Sequence, residues 1–283
     1  MPMTMKPAWM VMLGAAVAAG PAARGAGMEI RLQAEAGRIC SWEAVPLTMT
    51  LKNATPAAIP LDRHLFAGDT SAGLRLVRPD ASERLVRKVI LHLEHVESAG
   101  EEVDSLPAGG TRTIRMIASC DWSTMKPLFD AEGAYRLSVV IDIAGDRRES
   151  NVVQVSVVAP PSAEAEALRI LRAMETPELI HAPELASISR WRRRLPEAER
   201  LAKVEGSRIY AGYAKLCLAR HQLEAAMVSP EAGRRRAAID AAEALLAGIA
   251  TKGFTLAREV DDARAEAARL KRALATADSR PAP

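Results

Sequence analysis

The chain sets 38 Lys and Arg against 35 Asp and Glu over 283 residues, and a net charge of +3 is too slight to hold a protein on nucleic acid by charge alone. Hydrophobic residues make up 49% and aromatic residues only 4%, so a packed core is affordable and must be mostly aliphatic. Residues 28–161 are slightly acidic and residues 162–283 slightly basic. At the start, Lys6 precedes an apolar run over residues 8–19, then Gly20-Pro21 and the small-residue stretch Gly25-Ala26-Gly27. That is the layout of a secretory signal peptide, with an apolar core too short to span a bilayer. Residues 1–27 are therefore expected to be a signal peptide and the product to be periplasmic or secreted. No cysteine follows the apolar run, so no lipid anchor is expected, and no later stretch reaches membrane-spanning length.

Residues 28–159 read in steps of two. Residues 28–34 open the series. Val45, Leu47, Met49 and Leu51 alternate with Pro46, Thr48, Thr50 and Lys52, which puts one side on a core and the other toward water. Asn53-Ala-Thr-Pro then supplies turn chemistry. Leu74, Leu76 and Val77 form a short run closed by Pro79-Asp80. Residues 84–96 read as one longer strand, residues 106–110 as a loop, and residues 111–118 as a strand with Ile114 and Met116 on one face. Tyr135, Leu137, Val139 and Ile141 alternate cleanly, and residues 150–158 form the last strand. Seven strands at this spacing predict an antiparallel sandwich.

The segment Asp130-Ala-Glu-Gly133-Ala-Tyr135 resembles the tyrosine corner of immunoglobulin-like sandwiches. The resemblance is to a fibronectin III-like or bacterial variant, because Leu137 stands where antibody domains have Cys and no Trp falls in the third strand. It implies that the Tyr135 hydroxyl bonds backbone just upstream, with Asp130 and Gly133 shaping the corner. It also implies that the second and fifth strands are neighbours. Cys40 lies before the second and Cys120 after the fifth, so a Cys40–Cys120 disulfide is expected in an oxidising compartment, the alternative being two small core residues. Cys217 is expected to be buried and inert.

At Pro160-Pro161 the period changes. Ser162 is expected to cap a helix from Ala163, with Glu164 and Glu166 near its N-terminus. A long helix is predicted over residues 197–227, with Ile209, Gly212, Leu216, Ala219, Leu223 and Ala226 on one face. Ser229-Pro230 starts another, with Ile239, Ala242, Leu246 and Ile249 inward, and residues 251–253 break it. Leu256, Val260, Ala263, Ala267, Leu270 and Leu274 mark the narrow seam of a last helix, and residues 278–283 a frayed tail. Gly212-Tyr213-Ala214 is similar to the middle of a tetratricopeptide (TPR) helix, without a second copy at that family's period. Residues 160–277 are thus expected to form an α-helical, TPR-like bundle of antiparallel hairpins.

Catalytic signatures are lacking: there is no Gly-x-Ser-x-Gly, Ser-x-x-Lys or Gly-rich phosphate loop. His92-Leu-Glu94-His95 has the wrong spacing for a zinc helix, so no metal and no cofactor are expected. Arg190, Trp191, Arg192, Arg193 and Arg194 form a candidate polyanion contact, and Arg234-Arg-Arg236 a second basic run. The bland reading of both is a solvated helix face balanced by Glu197, Glu199 and Glu231. The expected function is an exported, non-enzymatic binding or scaffolding protein with a protein partner in the cell envelope. The alternatives are an envelope-surface protein gripping anionic lipid or polysaccharide through Arg190–Arg194, and an accessory subunit of a secreted hydrolase.

Overall fold

The computed structural model describes residues 27–61, 72–87, 90–92, 105–121, 124, 126–143, 146–174 and 195–278. Strands occupy the N-terminal part and helices the C-terminal part, a β plus α arrangement. The strands are β1 (Met28–Ala34), β2 (Arg38–Cys40), β3 (Val45–Asn53), β4 (Ile59–Pro60), β5 (Ala72–Val77), β6 (Glu83–Val86), β7 (Ile90–His92), β8 (Ser105–Leu106), β9 (Thr111–Ala118), β10 (Cys120–Asp121), β11 (Lys126–Pro127), β12 (Gly133–Ile143), β13 (Asp146–Glu149) and β14 (Val153–Val158). The helices are α1 (Ala165–Ala173), α2 (Leu195–Ala202), α3 (Tyr210–Val228), α4 (Ala232–Ala247) and α5 (Ala257–Asp278).

One sheet runs β1-β3-β9-β7, the other β2-β14-β12-β5-β6 with β13 also on β12. Alternation fixes the register. Leu32 pairs with Met49 and Met49 with Ile114 in the first sheet, while Leu137 pairs with Leu76 and with Val153 in the second. The buried sides of both sheets meet in one apolar core holding Ile30, Met49, Ile114, Leu76, Leu137 and Val155. Two buried asparagines complete the pairing where strands end. Asn151 Oδ1 accepts from Leu32 N at 2.8 Å and its amide donates to Leu32 O, substituting for a strand neighbour across the two sheets. Asn53 donates to Ala57 O, Leu106 O and Pro107 O, tying the β4–β8 ladder to β3.

Three expectations are corrected here. The single strand over residues 84–96 is divided: β6 pairs with β5 in the second sheet and β7 with β9 in the first, so the chain changes sheets between them. The helix over residues 197–227 is two helices, α2 and α3, separated by a break in which Gly206 takes φ +78°. Ser162 makes no side-chain cap; residues 162–164 form a 3₁₀ turn and α1 begins at Ala165.

In the helical part α3 is central and packs against α2, α4 and α5. It is buried on nearly every side, from Tyr210 and Tyr213 through Leu216, Cys217 and Leu223. α5 turns the narrow stripe of Val260, Ala263, Ala267 and Leu274 inward. Gly212 leaves room for Phe254, whose ring would lie 3.1 Å from a Cβ there. The last carbonyls of α4 and its exit are met by Lys215 Nζ on Gly248 O and Arg264 on Leu246 O, cations where the helix dipole is negative. Among the described residues no helix is long and apolar enough to cross a membrane.

Candidate functional site at the strand–helix seam

The helices lie on the outer face of the first sheet. Alternate residues of β9 therefore bury on opposite sides: Ile114 and Met116 in the sheet core, Ile117 in the helical core together with Ala44. Between them Arg115 is only 3% exposed and crosses the seam. Its guanidinium grips Glu35 through Nε at 2.6 Å and Nη2 at 2.9 Å, and its other amino group bonds Glu259 of α5. Burial raises the Glu259 carboxyl above its usual value, against the pull of Arg115. Burial also pushes Glu35 upward, but the Arg115 bond and charge outweigh it and hold that carboxyl below its usual value.

Next to this pair the turn over residues 41–44 inserts into the helices. Trp42 sits at φ +68°, a left-handed conformation costly for a bulky residue, so its surroundings must over-determine it. Ser41 N donates to Val158 O and Trp42 N to Phe129 O at 2.7 Å. Tyr210 donates its hydroxyl proton to Ser41 O, and Ala44 N donates to the Tyr213 oxygen at 3.2 Å. Arg172 lies over the Trp42 ring, 5.7 Å from its centre.

Glu43, in this turn, accepts from Cys40 N at 2.6 Å through Oε2 and lies 3.4 Å from the Tyr213 hydroxyl through Oε1. Burial, reinforced by the nearby Glu164, pushes its carboxyl up to about 7 against the lowering effect of those bonds. Burial and the Glu43 charge push the Cys40 thiol up to about 11, which keeps it protonated and a poor nucleophile. Tyr210 and Tyr213 are likewise held above the ordinary phenol value, burial first and neighbouring acids after it.

Glu164, in the 3₁₀ turn, reaches the N-terminus of α3. Its carboxylate accepts from Ser207 Oγ at 2.6 Å, Arg208 N at 2.6 Å, Ile209 N at 2.9 Å and Tyr210 N at 3.3 Å. A residue in the turn ahead of α1 thus caps a helix that begins far along the chain and fixes where α3 starts.

The bonds around Tyr135 are local: Ala131 N donates to the Tyr135 hydroxyl oxygen at 3.1 Å, and that hydroxyl is 3.4 Å from Asp130 Oδ1. Gly133 at φ +130° packs on Pro79, where a Cβ would come within 2.6 Å. The expected Cys40–Cys120 disulfide is not formed, and Cys217 is not bonded to another cysteine either. β3 and β9 are neighbours, with Val45 opposite Ala118, but the 41–44 turn carries Cys40 across to pair with Val158 in the other sheet. Cys120 stays on a β10–β11 ladder opposite Pro127. Arg190, Trp191, Arg192, Arg193 and Arg194 lie outside the described residues, as do Glu94, His95 and residues 1–26. Arg234 pairs with Glu231 at 2.9 Å and Arg235 bonds Pro230 O, a solvated helix start. Among the described residues no group of three or more His, Cys, Asp or Glu has metal-binding geometry.

Among the described residues, hollows open to solvent in at least two places. One, about 310 Å³, runs along Pro160, Pro161 and the Leu168, Arg169 and Arg172 side of α1. Another, about 110 Å³, lies by Gly73, Leu85, Arg87 and Asp142 on the second sheet. The residues that join the two parts (Glu43, Arg115, Tyr210 and Glu259), and Glu164 that caps α3 beside them, are missing from the sequence-based candidates. Their only sequence signal is polarity at positions whose neighbours are apolar, which a solvated face produces equally well.

No protein-family model matches the chain, and no curated protein matches it. Parts of it are similar to solved structures. Spo0M, the sporulation control protein of Bacillus subtilis, is 13% identical over 52% of this chain and 55% of its own, with a TM-score of 0.30. The alkylpurine DNA glycosylase AlkC of Pseudomonas fluorescens is 16% identical over 48% of this chain and 31% of its own, at 0.27. A CARDB domain from Pyrococcus furiosus is 12% identical over 47% of this chain and 94% of its own, at 0.26. The chain spans less than two thirds of the first two proteins. At such scores these likenesses carry no argument about fold or activity.

Proposed function

We propose that this chain is an exported, non-enzymatic binding or scaffolding protein of the cell envelope, an immunoglobulin-like sandwich with a TPR-like helical part. The strand order of the two sheets and the bonds of the Tyr135 hydroxyl support the immunoglobulin-like reading. The leader over residues 1–27 supports export. The observation that carries the binding reading is how the polar residues are distributed. Glu43, Glu259, Tyr210, Tyr213 and Arg115 are engaged in joining strands to helices. The larger open groove offers proline, Leu168 and two arginines, a lining suited to holding a peptide segment and poor in acid–base chemistry.

Two measurements test this. Fractionation of cells expressing the full chain should find it outside the cytoplasm, shortened by the leader; a full-length cytoplasmic product rejects export. A photo-crosslinker at Ser162, on the groove, should give one discrete protein adduct in those cells. The adduct should be lost on Leu168→Asp and be absent when the crosslinker sits at Lys252. Equal labelling at both positions, or none, rejects the groove as the contact.

A further inference from the structure

Among the described residues the seam buries three carboxylates, and their surroundings differ. Glu164 faces three backbone amides and a hydroxyl, all donors, at a helix N-terminus. Glu259 faces the Arg115 guanidinium. Glu43, 5% exposed, has neither: it meets the Cys40 amide and thiol and the Tyr213 hydroxyl, and no cation among the described residues pairs with it. The ionisable groups around it are Cys40 and Arg38 from β2, Glu164 from the 3₁₀ turn, and Tyr210 and Tyr213 from α3. Thr255, just ahead of α5, completes its hydrogen-bond chain through Tyr213. Arg115, Glu35, Glu259 and Arg258 form the separate ionic cluster of the same seam. Desolvating a charge that lacks a counter-ion costs more than two or three neutral hydrogen bonds return.

From this arrangement we propose that Glu43 is a proton-binding pin: as a neutral acid it holds the 41–44 turn against α3 and the start of α5, and its ionisation loosens the strand–helix seam. In the neutral state the Glu43 O–H donates to the Tyr213 oxygen, which also accepts from Ala44 N, while the Tyr213 O–H donates to Thr255 Oγ1. When the Glu43 proton leaves to solvent, Tyr213 must turn its O–H to the carboxylate and Thr255 must reverse to donate. A bare negative charge then remains beside Glu164. The folded chain holds this proton more tightly than the unfolded chain, whose Glu titrates at the ordinary 4.5. The stabilisation is therefore complete below that value and is lost as pH rises through about 7. The seam is closed in acid and loosens toward alkali.

The test uses the full chain. The melting temperature of the wild type should fall from about pH 5 to about pH 8, and that of Glu43→Gln should fall by less than half as much over the same range. Gln reproduces the neutral acid, accepting from Cys40 N and donating to Tyr213. Parallel curves for the two proteins overturn the proposal. If Glu43→Gln does not fold, carboxyl ¹³C NMR of the wild type decides: one glutamate, assigned to Glu43, should titrate near 7, with amide-exchange protection at Ala44 dropping over the same interval. A Glu43 that titrates below about 5.5, or protection at Ala44 that is flat across the transition, overturns it.

Discussion

Arg115 sits at an outward position of β9, where a charged side chain ordinarily meets water, yet α5 covers it and leaves it between two acids. Removing one partner of such a buried pair strands the other charge. Arg115→Ala should therefore cost about 3–5 kcal/mol in urea unfolding, whereas Arg115→Met combined with Glu259→Leu should recover most of the loss. A loss below about 1 kcal/mol for the single variant would mean that water reaches Glu259. Glu164 acts through geometry more than through charge pairing: one carboxylate accepts from the Arg208, Ile209 and Tyr210 amides where the chain enters α3. Glu164→Ala should cost about 2–4 kcal/mol, above a simple cap loss because several buried donors go unsatisfied together. Circular dichroism at 222 nm through a urea titration measures both variants.

At the scale of elements, much of the chain was legible because one physical rule decides it. Alternation in β3, β12 and β14 names the core side directly, and the stripe from Val260 to Leu274 names the inner face of α5. The illegible parts are those fixed by distant partners. Nothing between residues 197 and 227 breaks a helical pattern as proline would, so the split into α2 and α3 depends on Glu164 capping from the 3₁₀ turn and on Gly206. A sheet covered on both faces hides its second buried side: Thr113 and Arg115 read as the solvent side of β9, and Ile117 alone breaks the alternation. Two of the positive-φ glycines, Gly206 and Gly133, separate backbone strain from crowding. Gly206→Ala has open space around the new Cβ and should cost about 1–2 kcal/mol for the left-handed backbone alone. Gly133→Ala drives a Cβ to 2.6 Å from Pro79 near Tyr135 and should cost about 2–4 kcal/mol. Thermal melts of the two variants rank them, and equal losses would show that Pro79 gives way freely.

For the whole molecule, the Pro160-Pro161 junction marks a change of secondary structure but not a separation of cores. Ala44 and Ile117 from the strand part belong to the helical core, Trp42 packs against it, and buried bonds from Arg115, Tyr210 and Tyr213 cross the same boundary. Two parts sharing that much buried contact cannot lose one without exposing apolar surface and unsatisfied polar groups on the other, so unfolding should be coupled. Near-ultraviolet signal from the aromatic side chains, Trp42, Tyr210 and Tyr213 of the seam among them, and far-ultraviolet signal from helices and sheets should change in one transition with a common midpoint. Tyr210→Phe with Arg115→Ala removes two of the crossing bonds and should part that transition, the helical signal melting before the sheet signal because α3 and α5 lose their seat while the strand core keeps both its sheets. Two resolved transitions already present in the unmodified chain would mean that the strands and helices are independent domains joined only by contact.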